Sequence, residues 1–208
     1  MSRADPLAPL DAVWMRGDAC KGLFLRADNL PRDYDERVKL LARLMGSPDP
    51  TGRQIDGLGG GRPDTSCVVV LSRSKRFRHD IDYWCGRVDP TTGLIDSRSA
   101  IDDLAAAVGP AAVWLKLVEP QGERAALRLW QVNEGYTVEA RFDLQDGQPV
   151  EVGRLQTESG PFPGAAIELT VFEPESGTAN RDDDNDGPKS TQRLSSARRL
   201  MQGIVVST

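Results

Sequence analysis

The segment Leu104–Val108 is apolar on every side, and a second apolar run, Ala111–Leu117, follows it after Gly109–Pro110. A helix with no polar face has to be enclosed. No apolar run approaches the about 18 residues needed to cross a bilayer, so the enclosure must be protein rather than lipid. Ser99-Ala100-Ile101-Asp102 precedes the run and reads as a cap, with Asp in the place of the usual Glu or Gln. The helix is expected either to stop at Gly109–Pro110 or to extend through Leu117.

Most other signals are strands, so the expected enclosure is a β-sheet. Val13–Met15 and Leu23–Leu25 are short apolar runs separated by a turn that contains Lys21–Gly22. Cys67–Leu71 is β-branched, fully apolar and therefore predicted to be central. Ile81–Cys85 alternates. From Ala126 onward the chain reads as β: Leu127–Asn133, Tyr136–Leu144, a hairpin turn at Asp146–Gly147, then Val150–Leu155 and Ile167–Phe172. A second helix is expected over Tyr34–Met45, capped by Asp33 and ended by Gly46, with Val38, Leu41, Leu44 and Met45 on one face. The fold class is α+β, with roughly seven or eight strands and two helices, one of them central.

The composition shifts near the end. Residues 1–177 read as the folded domain. Residues 178–193 read as a polar, disordered linker, because Thr178–Thr191 holds no Leu, Ile, Val or aromatic residue. Residues 194–208 read as a short terminal segment, a helix and a strand. Asp182, Asp184 and Asp186 alternate as in a calcium loop, but Arg193 stands where the closing Glu is required. The three cysteines, Cys20, Cys67 and Cys85, are too few and too far apart for a disulfide framework or a zinc ligand set. No metal or cofactor is expected. A net charge of −5 argues against nucleic acid. Membrane association is not expected, and neither is secretion, since the start lacks an apolar signal. The expected location is the cytoplasm.

Several stretches, in order, resemble the PrpF family. They are Trp14-Met15-Arg16-Gly17 with Lys21-Gly22; Gly46-Ser47-Pro48-Asp49-Pro50; Gln54-Ile55-Asp56-Gly57-Leu58-Gly59-Gly60; Thr65-Ser66; Asp80-Ile81-Asp82-Tyr83; Ala106-Ala107-Val108-Gly109-Pro110; and Gln131-Val132-Asn133. The resemblance runs from about residue 10 to about residue 177. It implies one half of a diaminopimelate-epimerase-like fold, a mostly antiparallel β-sheet wrapped around a central apolar helix. It also implies cofactor-free allylic or cis-trans isomerisation of unsaturated di- and tricarboxylates, such as methylaconitate, aconitate-like acids and oxalomesaconate. The reaction would occupy a cleft between two similar halves. Full-length members are nearly twice this long, so the second half is expected to be missing here.

Such chemistry needs a base, an acid and groups that hold carboxylates. The resemblance places substrate binding at Arg16, Lys21, Ser66, Gly59 and Gly60. Arg16 reads as a carboxylate clamp or as a surface ion pair, since Asp18 is two residues away. The family carries a catalytic Lys after Thr-Ser, where this chain has Cys67. A thiol opening an apolar strand reads as a weak base or as a small buried hydrophobe. Cys20 replaces a Ser and is the other candidate catalytic thiol. The family's catalytic Cys falls on Ile101, which has no proton to give. Asp102 and Asp103 place carboxylates where backbone N–H groups otherwise meet an anion, although they also suit a helix N-terminus. His79 reads as an ordinary surface histidine.

Two functions follow as expectations: a family isomerase with its reaction impaired or lost, or a non-catalytic half-domain serving as a binding or assembly module. The expected partners are a small carboxylate ligand and either a second copy of the chain or a missing second-half partner. The face toward the absent half is expected to keep apolar area and to associate.

Overall fold

The structure is a computed structural model that describes residues 10–17, 20–151, 155–157, 160–162, 165–172 and 190–204. Asp18, Ala19 and the acidic run Asp182–Asp186 lie outside the described residues, and so do 178–189 of the expected linker.

Twelve strands and two α-helices form among the described residues. The strands are β1 Leu10–Arg16, β2 Lys21–Arg26, β3 Cys67–Arg73, β4 Ile81–Val88, β5 Ile95–Asp96, β6 Arg124–Gln131, β7 Tyr136–Gln145, β8 Gln148–Pro149, β9 Leu155–Thr157, β10 Gly160–Phe162, β11 Ala165–Phe172 and β12 Ser190–Ile204. The helices are α1 Tyr34–Leu44 and α2 Asp102–Trp114. Apart from the separate β9–β10 pair, the strands form one mixed sheet, in the order β11-β12-β1-β2-β3-β4-β6-β7-β8, with β5 on β4. β2–β3 and β4–β6 are parallel, and the other pairs are antiparallel. The sheet curls until β11 pairs with β7 as well as with β12.

Alternation along each strand sends side chains to two cores. Val13, Met15, Phe24, Cys67, Val69, Leu71, Ile81, Tyr83 and Cys85 face α2 and join the larger core with Leu127, Leu129, Val138, Ala140, Phe142, Ile167 and Leu169. Ala12, Trp14, Leu23, Leu25, Val68 and Val70 face the other way and pack with Leu41, Ala42, Leu44 and Met45 of the α1 region. Every residue from Leu104 to Val113 is buried. Each large aliphatic side chain enclosed there contributes about 1.5–3 kcal/mol.

α2 runs straight through Gly109–Pro110. Gly109 supplies the reason: a Cβ there would stand 2.7 Å from Phe142 Cε1, so the missing side chain lets the helix lie directly on β7. Close packing outweighs the propensity cost of about 1 kcal/mol for a helical glycine. The expected Ser99 cap does not form. The helix opens at Asp102 with Ile101 as the N-cap residue and no side-chain cap. The chain before it is held from outside instead, since Ala100 N donates to Glu134 Oε1 at 2.9 Å. α1 is capped as expected: Asp33 accepts from Glu36 N at 2.9 Å, and Gly46 leaves the helix at φ +76°.

Two strand expectations are corrected. Val150 continues the β7–β8 register by donating its N–H to Asp143 O but is not itself part of a strand, so the strand at the Asp146–Gly147 turn is the short β8; 152–154 lie outside the described residues and Leu155 opens β9. The described C-terminal residues form a single strand, β12, with no helix. It begins at Ser190, inside the segment expected to be linker, because residues 190–197 pair along β11 and residues 198–204 pair along β1. Among the described residues no helix is long and apolar enough to cross a membrane.

Candidate active site

The glycine-rich loop is organised around one buried glutamine. Gln54 Nε2 donates to Ser47 Oγ at 2.8 Å, and Gln54 Oε1 accepts from Gly61 N at 2.9 Å and from Ser66 Oγ. Asp49 braces the same loop by accepting from Thr51 N, Arg53 N and Gln54 N, and these bonds hold its carboxyl below the usual carboxylate range. Gly59 lies against the Gln54 side chain, and Gly60 lies against Thr65 and Lys21 Cε. Ser66 is fully buried. Three residues assigned to substrate binding by resemblance thus shape the loop: Ser66 bonds within it, and Gly59 and Gly60 make room for it.

Arg16 and Lys21 sit directly opposite each other in the β1–β2 ladder. They continue the face of Ala12, Trp14, Leu23 and Leu25, and Lys21 Nζ stands 5.8 Å from the Trp14 ring centre. This is the α1 side of the sheet. The thiols lie on the opposite side. Cys20 and Cys67 both belong to the core around α2 and are buried, at 5% and 0% exposure. The residues expected to form one site are therefore divided between the two faces of one sheet.

On the α2 face the register lines up Met15, Gly22, Cys67, Arg87 and Asp96 across β1 to β5. Gly22 is open enough for Leu104 and Cys67 to close over it, and Gly17 passes against the carbonyl of Asp103, where a side chain would collide. The entry of α2 is thereby clamped to the ends of β1, β2 and β3. The Cys20 thiol donates to Asp103 Oδ2 at 3.6 Å. The Cys67 thiol donates to Pro63 O at 3.3 Å and to Asp64 O at 3.7 Å.

The two thiols differ in acidity. A hydrogen bond from Cys67 stabilises the Cys20 thiolate, and Arg87 assists. These outweigh burial and the Asp103 carboxylate, so the Cys20 pKa falls below an ordinary thiol's. The same bond together with burial pushes Cys67 far up. Cys67 therefore keeps its proton at neutral pH, and Cys20 is the thiol better able to hold a negative charge. Burial pushes the third thiol, Cys85, up to about 11.

Ile101 is buried at 1% exposure at the very start of α2. Asp102 accepts from the Tyr136 hydroxyl at 3.1 Å, and Asp103 faces Cys20. Gln131 and Asn133 fix this corner. Asn133 Nδ2 donates to Cys85 O and Ser97 O, and Gln131 Nε2 donates to Asn133 Oδ1, which ties the β6–β7 turn to the segment entering α2. His79 is at the other end of β4, bonded to Thr137 Oγ1 and edge-on to Trp130, so it takes no part.

Sequence reasoning missed Arg87. The alternation Ile81, Tyr83, Cys85 continues to Arg87 on the same face, and that signal was available. What it lacked was the register that sets Arg87 beside Cys67. Among the described residues no group of three or more His, Cys, Asp or Glu side chains is placed to hold a metal ion.

Comparison with known proteins gives the family of the chain. The family described as PrpF protein matches residues 8–185. The 2-methyl-aconitate isomerase of Cupriavidus necator is 36% identical over 177 residues, covering 81% of this chain and 45% of that protein. The 2-methyl-aconitate isomerase of Shewanella oneidensis is 35% identical over 190 residues, covering 88% and 47%. The crystal structure of methylitaconate-delta-isomerase superposes with a TM-score of 0.71 at 28% identity, over 81% of this chain and 42% of that one. The chain spans about half the length of the curated relatives it matches. With a family match over residues 8–185 and a fold shared with methylitaconate-delta-isomerase, the chain belongs to the PrpF family.

Proposed function

We propose that this chain is the first half of a PrpF-type isomerase whose ordinary reaction is impaired. That reaction is the cofactor-free allylic or cis-trans isomerisation of an unsaturated di- or tricarboxylate by proton transfer. The observation that carries the reading is the chemistry at the entry of α2. The position that resembles the family's catalytic Cys is Ile101, which is buried and has no proton to move. The position that resembles its catalytic Lys is Cys67, whose thiol is held protonated. Asp103 adds negative charge where an anionic substrate would approach, and it raises the cost of ionising Cys20. One shared proton between Cys20 and Cys67 does not replace a base and an acid that address two carbons of the substrate.

Turnover of methylaconitate, aconitate and oxalomesaconate is expected to be roughly 10²–10⁴-fold below that of the Cupriavidus necator relative, the range that general acid–base groups contribute. A rate within about tenfold of that relative would contradict the reading. The site is read as cytoplasmic because all three cysteines are free thiols, which persist in a reducing compartment. The opposite wall of the cleft is assigned to a second copy or a separate second-half chain. Light scattering of the 208-residue chain should report a dimer or larger, and a clean monomer that also ignores a second-half chain contradicts it.

A further inference from the structure

Arg87 is a half-buried arginine whose guanidinium enters no hydrogen bond or ion pair among the described residues. Its neighbours on every side are accounted for. Across β3 stands Cys67, and across β5 stands Asp96, which Arg98 binds through two bonds of 2.8 and 2.9 Å and which also feels the Arg87 charge without bonding to it. Asp89 is turned into its own loop, where Oδ1 accepts from Thr91 N, Thr92 N and Thr92 Oγ1. The Arg87 charge reaches the thiols of Cys20, Cys67 and Cys85, favouring the anionic form of each. It also lines an open groove of about 590 Å³ with Pro63, Thr92, Leu94, Ile95, Ser97 and Arg98, together with the Asp89 and Asp96 carboxylates that the loop bonds and Arg98 engage. Pro63 is the residue whose carbonyl takes the Cys67 thiol, so the groove begins at the candidate site.

A half-buried guanidinium that faces an open groove keeps donors free for a ligand. Its flat array of donors matches a carboxylate bidentately. A groove of this volume is in the range that takes a small ligand. Arg16 and Lys21 are on the far side of the sheet and cannot serve this face. The helix N-terminus, the usual alternative, is occupied by Asp102 and Asp103.

We propose that Arg87 is the carboxylate-binding residue of this site, holding one carboxylate of a small di- or tricarboxylic acid in the groove between Pro63 and Ser97. This rests on the proposed reading of the α2 entry as a substrate site, and it names the cation that the site uses.

The test is calorimetric titration of the full chain with tricarballylate, a saturated tricarboxylate that cannot isomerise, so binding is read apart from catalysis. Arg87→Gln should weaken binding roughly tenfold to a hundredfold, the effect of losing a charge-assisted pair. Arg87→Lys should fall between Gln and wild type, because it keeps the charge and loses the fork. Arg73→Gln, on the exposed end of β3, should stay within about twofold of wild type and control for net charge. In parallel, tricarballylate should slow iodoacetamide labelling of Cys20 in wild type and not in Arg87→Gln. Equal affinity of wild type and Arg87→Gln, or no binding by wild type, overturns the proposal. Isomerisation at a family rate with no dependence on Arg87 also overturns it. Arg87-dependent binding beside family-rate turnover supports it and overturns only the impaired reading.

Discussion

Replacing Gly57 with alanine is expected to destabilise the folded chain by about 3 kcal/mol or more, at the upper end of the cost of overpacking. A Cβ on Gly57 would fall inside the envelopes of Gly46 N and the Met45 carbonyl carbon. Both are backbone, so neither can rotate away. Gly46 is itself fixed at φ +76° by the end of α1, and Leu58 N and Gly59 N bond back to Leu44 O and Met45 O. The loop and the helix end are therefore one unit, and a methyl between them must break bonds at both. The loop also carries Gln54, so its displacement releases Ser47 and Ser66 together. The contrasting control is Gly122→Ala, at φ +89° with nothing within 4 Å of the new Cβ. It should cost only about 1–2 kcal/mol, the backbone penalty alone. Urea unfolding midpoints compare the two. Equal losses would show that the Gly46–Gly57 contact is not structural.

Asp103→Asn should tighten tricarballylate binding by roughly tenfold to a hundredfold, because one like charge at about 6 Å and an effective dielectric of about 20 opposes the anion by about 2.8 kcal/mol at most. The same change should alter the chemistry of Cys20. The Asp103 carboxylate raises the Cys20 pKa, by charge and by accepting its thiol proton. Removing it lowers that pKa further, so the midpoint of Cys20 alkylation against pH should move down. Arg87→Gln removes a group that lowers the pKa, so it should move the midpoint up. Shifts of opposite sign in the two variants are the expected signature. A midpoint that does not move in Asp103→Asn would place the carboxylate outside the influence of Cys20.

Most of the scaffold was legible in the sequence because its signals are local. Asp33, the apolar face of Leu41 and Leu44, and Gly46 define α1 within a dozen residues. Cys67–Leu71 needed only its β-branched run to be placed inside a sheet. The closed course of the sheet was not legible, since β12 pairs β11 on one side and β1 on the other, and its sequence is polar. Pairing across more than a hundred residues leaves no local mark on a strand. The sequence leaves the end of α2 open between Gly109–Pro110 and Leu117 for a related reason. Gly109–Pro110 reads as a stop in isolation, but Phe142 of β7 requires a glycine where the helix lies on it.

The candidate site divides in the same way. Cys20, Cys67, Arg16 and Lys21 were all singled out from motif positions, but which of them share a face is set by alternation and by register. Trp14 beneath Lys21 and Leu104 above Gly22 decide that, and both are contacts remote in sequence or across strands. Arg87 was passed over because its importance comes from Cys67 beside it and from the groove it faces. Neither is written in the residues next to it.

In the proposed function the family scaffold is kept while the proton-transfer groups at the α2 entry are replaced by Cys67 and Ile101. Deuterium uptake into methylaconitate, aconitate and oxalomesaconate in heavy water tests it most directly, because it registers proton removal even when the full isomerisation fails. Uptake with the wild type should run roughly 10²–10⁴-fold below that with the Cupriavidus necator relative, and equally so with Cys67→Ala and Cys20→Ala. Uptake by the wild type that either substitution abolishes would contradict it.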